Sequence, residues 1–147
     1  MVKKVQCVIF RSPDKPQFLI LHRIKEKGGY WQNVTGSVEE GEDSLSAAKR
    51  EVKEETGVDK DSILTIYEDL FKFNFSLPAK GDIEEKVYAF EVKPGTKIDT
   101  SKNVYPEHDD YRWVGADEAV KLIKWKSNKE AVEKTLEALK RDGLAYL

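Results

Sequence analysis

The sequence predicts one α/β domain, an α/β/α sandwich with helices on both faces of a central mixed β-sheet. Three observations predict it. The chain has 147 residues, which suits one domain and leaves no room for two, so residues 1–147 are read as a single unit. Short runs rich in β-branched and aromatic residues recur along it, separated by turn chemistry. One helical pattern is inserted early among these runs, and two more close the chain.

Residues 5–10 are a short apolar run with β-branched members and read as the first strand. Residues 11–16 carry two prolines around Asp14 and form a turn. Residues 18–24 (FLILHRI) are dense enough in Leu and Ile for a central strand, and a charged loop ending in Gly28-Gly29 follows. Residues 31–34 are a short strand running into Thr35-Gly36, and residues 39–43 are an acidic loop around Gly41. Residues 44–55 repeat Leu45, Ala48 and Val52 at helical spacing, which gives a helix with one apolar stripe. Gly57 lies just past its last turn, where a left-handed C-cap favours glycine.

Residues 63–70 and 71–77 read as strand, and Phe71, Phe73, Phe75 and Leu77 alternate with Lys72, Asn74 and Ser76. Residues 78–82 turn the chain, residues 86–92 (KVYAFEV) return as a strand, and Lys93-Pro94-Gly95 ends it. Residues 101–110 are a polar loop before a last short strand at 111–114. Residues 117–123 form a short helix. Ser127 opens a longer one, with Glu130 three positions on as in a capping box; Val132, Leu136 and Leu139 face inward, and Gly143 stops it.

Charge is nearly balanced, with 25 basic and 27 acidic residues, so no basic excess invites a stable nucleic-acid partner. The acids concentrate between Glu39 and Glu55, which points to cations. Cys7, the one cysteine, can form no internal disulfide and no cysteine-based zinc site, and is read as a small core residue. No signal peptide and no run of membrane-spanning length is visible, so a cytoplasmic location is expected.

The chemistry concentrates in residues 36–58, GSVEEGEDSLSAAKREVKEETGV. At about 100° per residue, Glu51, Glu54 and Glu55 fall within one arc of the helix, bordering its apolar stripe. Like charges at this spacing repel by about 0.2–0.5 kcal/mol when solvated, and by more when half-buried. Hard divalent cations relieve this, because Mg²⁺ takes oxygen ligands and is shared between carboxylates and substrate phosphates. Gly36 has no side chain, so its carbonyl can approach such an ion closely.

These residues fill every position of the pattern G-x5-E-x7-R-E-U-x-E-E-x-G-U (U aliphatic), through Gly36, Glu42, Arg50, Glu51, Val52, Glu54, Glu55, Gly57 and Val58. The chain therefore resembles the Nudix hydrolases, with an intact Nudix box over 36–58. A solvated acidic helix face would explain the charges but not Gly36 and Glu42. The resemblance implies a loop–helix–loop on an α/β/α sandwich and dependence on Mg²⁺, with Mn²⁺ as a substitute. It implies Glu51, Glu54, Glu55 and the Gly36 carbonyl as metal ligands, with Arg50 and Glu42 holding the glutamates. It also implies a tendency to form homodimers.

Residues 30–42 (YWQNVTGSVEEGE), Glu107-His108, Tyr111-Arg112-Trp113 and Lys126-Ser127-Asn128 resemble the dATP pyrophosphohydrolase or dihydroneopterin triphosphate pyrophosphatase group. The substrate class implied is a nucleoside or pterin triphosphate, hydrolysed to the monophosphate and pyrophosphate. Glu107, in a loop, is a further metal ligand or general base beside Glu51 and Glu54. Arg23 matches a position that touches substrate phosphates in the family, Trp31 can stack on a base or pterin ring, and Glu42 is counted at the substrate site.

Plainer readings are expected elsewhere. Phe71, Phe73 and Phe75 are core first, His22 is a satisfied core histidine, and His108 is a solvated loop residue. Lys121, Lys124, Lys126 and Lys129 are a solvated helical face. Three other activities are carried forward: an asymmetric dinucleoside tetraphosphate hydrolase, an RNA 5′-pyrophosphohydrolase, and a nucleotide-binding regulator without catalysis. Gln32-Asn33-Val34-Thr35 stands where the tetraphosphate hydrolases usually have Trp-Pro-Lys-Gly, which disfavours the first.

Overall fold

The computed structural model describes residues 1–143. The order is β1 (Val2–Arg11), β2 (Gln17–Arg23), β3 (Trp31–Gln32), β4 (Val34–Ser37), α1 (Ser44–Thr56), β5 (Ile63–Leu77), β6 (Gly81–Val92), β7 (His108–Val114), α2 (Ala116–Leu122) and α3 (Lys126–Arg141). Seven strands make one sheet in the order β3-β2-β1-β6-β5, with β4 also paired to β1 and β7 to β2. The β1–β6 pair is parallel and the others antiparallel, so the sheet is mixed as expected.

Helices cover both faces, which is why β1 reads as an apolar run interrupted only by Gln6 over residues 5–10. Its odd-numbered Val5, Cys7 and Ile9 pack with Leu19, Leu21, Val34 and Tyr88 beneath Ala48 and Val52 of α1. Its Val8 and Phe10 pack with Phe18, Ile20 and Val87 beneath Ala119 of α2 and Ala131, Val132 and Leu139 of α3. Cys7 is buried, as read from the sequence.

One buried even position of β1, Gln6, is polar. The Gln6 amide donates to Glu85 at 2.9 Å and its carbonyl accepts from the Asn33 amide at 2.9 Å. The Asn33 backbone N–H reaches Asn128 Oδ1 at 2.9 Å, which ties the first turn of α3 to the link between β3 and β4.

Several boundaries and roles differ from expectation. The strand after Tyr30 is two pieces, and the second carries Gly36 inside β4, where pairing with β1 extends it. Residues 63–77 are one strand with register shifts between Ile63 and Thr65 and between Tyr67 and Phe71. β7 begins at His108, three residues earlier than read, because pairing with β2 continues across a bulge. The capping box at Ser127 does not form: α3 starts at Lys126 behind Trp125, which makes no side-chain cap, and Glu130 instead lies 3.9 Å from Lys126. Phe71, Phe73 and Phe75 are half-buried on the edge strand, stacked in sequence at 5.7 and 5.8 Å. Lys121, Lys124 and Lys126 are exposed, whereas Lys129 is half-buried.

Candidate active site

Helix α1 is capped at its start by Asp43, whose side chain accepts from the Ser46 N–H at 2.7 Å, and at its end by Gly57 with φ 76°. Between these caps its stripe of Leu45, Ala48 and Val52 faces the sheet, which leaves Arg50, Glu51, Glu54 and Glu55 along the rim.

Arg50 is the hub. Its Nε and Nη2 donate to the two oxygens of Glu42 at 2.9 and 3.0 Å, a bidentate pair, and Nη2 also reaches the Ser37 carbonyl at 2.9 Å. Its Nη1 donates to Glu51 Oε1 at 2.8 Å and lies 3.4–3.5 Å from the Glu54 oxygens and 3.7 Å from Glu39. One guanidinium thus faces four carboxylates. The Arg50 hydrogen bonds hold the Glu42 carboxyl below the usual glutamate range.

Glu51 lies over Gly36. A Cβ at position 36 would sit 2.1 Å from Glu51 Cδ and 2.4 Å from Oε1, so only glycine leaves room for this carboxylate. Desolvation pushes the Glu51 carboxyl up to about 7; Arg50 opposes the shift, and Glu54 and Glu55 reinforce it.

The three helical acids do not converge. Glu51 and Glu54 turn to Arg50, whereas Glu55 turns to His108, whose Nδ1 is 2.7 Å from Glu55 Oε2. Like charges at neighbouring helical positions repel, and each takes the nearest N–H donor. Among the described residues, no three acidic or imidazole side chains close on one point. Exposure separates them too: the Glu54 side chain is 44% exposed, against 11% for Glu51 and 5% for Glu55.

The remaining predicted site residues are dispersed. Glu107 lies just before β7, with its carboxylate 3.6 Å from Arg23 and 3.4 Å from Lys27. Arg23 also donates from Nε to the Lys27 carbonyl and stands over the Tyr30 ring at 5.8 Å. Trp31 packs against the core on the α2–α3 side, 4.9 Å from the His22 ring and under Arg112. Glu42 is occupied by Arg50, so Arg23, Trp31 and Glu42 do not form one cluster. A cleft of about 860 Å³, lined by Gly57, Asp59, Lys93, Thr96 and Lys102, opens beside the C-terminal end of α1 and includes none of the glutamates.

Both histidine readings are corrected. His22 is not a core residue: its side chain is 27% exposed and its Nδ1 is 2.7 Å from Asp109. His108 is not solvated: it is buried between Glu55 and Gln32, whose amide nitrogen is 3.1 Å from His108 Nε2. The bulge is the cause. Tyr111 and Trp113 pair with Leu21 and Leu19, which face α1, so strict alternation would turn His108 to the opposite face. His22 pairs with Asp110 and Arg23 with His108, so Asp109 is the extra residue. That residue reverses the parity and aims His108 at α1. Gln32 and Asn103, the latter 3.3 Å from Glu55 Oε1, were not anticipated as neighbours of the site. No local pattern marks either.

Comparison with known proteins follows this geometry. Residues 2–135 match the NUDIX domain family. The chain is 32% identical to dihydroneopterin triphosphate diphosphatase of Escherichia coli, over 86% of this chain and 87% of that protein. It is also 32% identical to an octanoyltransferase of Myxococcus xanthus over 84% of this chain, but spans only 33% of that protein. Its fold resembles the crystal structure of a Caenorhabditis elegans Ap4A hydrolase binary complex, with a TM-score of 0.80 at 26% identity, covering 96% of this chain and 99% of that one.

Proposed function

The chain belongs to the Nudix family and is a hydrolase of phosphoanhydrides, and we infer that it is a divalent-metal-dependent pyrophosphohydrolase for a nucleoside triphosphate of the dATP kind or dihydroneopterin triphosphate. The products are the monophosphate and pyrophosphate. The observation that carries the reading is the carboxylate cluster around Arg50 of α1: four acids on one arginine, two from the helix and two from the loop before it, with Glu51 pressed onto a glycine that admits no Cβ. An all-oxygen donor set with excess negative charge suits Mg²⁺ or Mn²⁺.

Glu51, Glu54, Glu55 and the Gly36 carbonyl would hold the metal, with Glu107 as a further ligand. A divalent cation there supplies charge neutralisation and polarisation of the phosphoryl oxygens. Arg50, fixed by Glu42 and the Ser37 carbonyl, sets the positions of Glu51 and Glu54. Glu54 is the most exposed of the three helical acids and is bound to Arg50 only at 3.4–3.5 Å, which supports reading it as the acceptor of a proton from water. That water attacks phosphorus, its proton passes to Glu54, and the phosphoanhydride P–O bond breaks with pyrophosphate leaving. Arg23 and Lys27 are the cations nearest Glu107; a polyphosphate that pairs with them releases the Glu107 carboxylate. Trp31 is assigned to the base or pterin ring, from the side of the sheet opposite α1.

A substrate panel with Mg²⁺ tests this: dATP, other nucleoside triphosphates, dihydroneopterin triphosphate and diadenosine tetraphosphate, with pyrophosphate and orthophosphate measured separately. Pyrophosphate release from a triphosphate is expected, and failure to turn over any triphosphate refutes the reading. The likeness to the C. elegans Ap4A hydrolase structure supports a second reading, dinucleoside tetraphosphate hydrolysis. Far faster turnover of diadenosine tetraphosphate than of any triphosphate would select it.

A further inference from the structure

The reaction outlined above leaves a buried side chain unused. His108 sits in a sealed position, with Glu55 on one ring nitrogen and Gln32 on the other. A histidine needed only to fill space there could be any apolar residue of similar size. This one spans from β3 to α1 through two hydrogen bonds, and a bulge in β7 is what turns it inward.

The protonation pattern follows from the partners. Gln32 presents its amide nitrogen to His108 Nε2, so Nε2 accepts and the ring proton lies on Nδ1. Nδ1–H then donates to Glu55 Oε2 at 2.7 Å, short for an N–H···O bond, as expected with an ionised acceptor.

We propose that His108 is a positioning residue: its Nδ1–H fixes the Glu55 carboxylate through Oε2 and leaves Oε1 for the divalent cation, while Gln32 fixes the imidazole tautomer. The proposal rests on Glu55 being a ligand, as inferred above. The only other hydrogen bond to Glu55 Oε1 among the described residues is the long one from Asn103, at 3.3 Å, which a cation can displace. The Oε2 bond is both shorter and buried, so it persists. Partners of this kind, one hydrogen bond behind a ligand, typically change metal affinity or activity 10–100-fold when removed.

The test is calorimetric titration of the substrate-free full chain with Mn²⁺, alongside steady-state kinetics at varied metal. Four variants are compared with the wild type: His108→Phe, His108→Asn, Gln32→Leu and Glu55→Gln. His108→Phe keeps the ring plane without the donor, and Mn²⁺ affinity is expected to fall about 10–100-fold with KM at saturating metal unchanged. His108→Asn places an amide N–H near the former Nδ1 and should restore most of the affinity. Gln32→Leu should weaken binding less, in the same direction. Should His108→Phe fail to fold, the contrast between His108→Asn and Gln32→Leu decides: near-wild-type affinity in the first with a loss in the second supports the proposal, and any other pattern overturns it. Wild-type affinity in His108→Phe together with a loss in Glu55→Gln overturns the positioning role alone. Equal losses in His108→Phe and His108→Asn reduce the effect to packing and also overturn it. Wild-type affinity in Glu55→Gln removes the premise, and the metal reading of Glu55 falls with it.

Discussion

Buried carboxylates lie on both sides of the sheet, and Glu85 on one side and Glu51 on the other are held differently. On the α2–α3 face, Glu85 accepts from Gln6, which is linked through Asn33 to Asn128, a chain of neutral amides. One polar atom of that chain, Asn33 Oδ1, is left without a partner. On the α1 face, Glu51 shares one arginine with Glu42, Glu54 and Glu39. Burial raises both carboxyls above the usual glutamate range, Glu51 to about 7. The amides of Gln6, Asn33 and Asn128 are uncharged and buried, so the chain serves to join strands and α3. The arginine cluster keeps an excess of negative charge beside the exposed Glu54, which is the character expected of a functional site rather than of a structural link.

The largest expected break in this contrast comes from Glu54→Gln. It removes the proposed proton acceptor at an exposed position, so kcat should fall by about 10²–10⁴ with little change in the melting curve. Near-wild-type turnover would take Glu54 out of the chemistry. Next is Gly36→Ala, whose Cβ cannot coexist with Glu51 where it stands. Overpacking should cost about 1–3 kcal/mol of stability. The sharper readout is the response to metal. With Mg²⁺ at about 100 times its Kd, the wild type should gain roughly 5–10 °C in Tm, and the variant much less. An equal gain in both proteins would show that Gly36 and Glu51 do not form the cation site.

The smallest effect belongs to the amide chain, and its sign is set by Glu85. Burial raises the folded-state pKa, so between the ordinary glutamate value and the raised one the folded chain holds a proton that the unfolded chain has released. This contribution to stability is complete below the ordinary value and is lost as pH rises through that window. Glu85→Gln keeps an acceptor for Gln6 and has no such loss. It should flatten the Tm–pH curve over that window and be more stable at pH 8 by up to about 1 kcal/mol, with activity within about twofold. A tenfold fall in kcat/KM would place Glu85 in the site and erase the distinction between the two faces.

The sequence by itself determined the class of fold, helix α1 with its glycine C-cap, the buried Cys7, and the grouping of Arg50 with Glu42, Glu51 and Glu54. These are local: they follow from helical spacing, from a glycine at a C-cap, and from a mostly apolar strand buried on both sides. Only the tertiary structure decided why Gly36 must be glycine, since its neighbour Glu51 is fifteen positions away, and why Glu55 parts from its two companions. It also decided which histidine is inside. One extra residue in β7 exchanges the two faces of that strand, and because side chains alternate with a period of two, nothing in the local pattern of residues 107–110 reveals on which side His108 will fall.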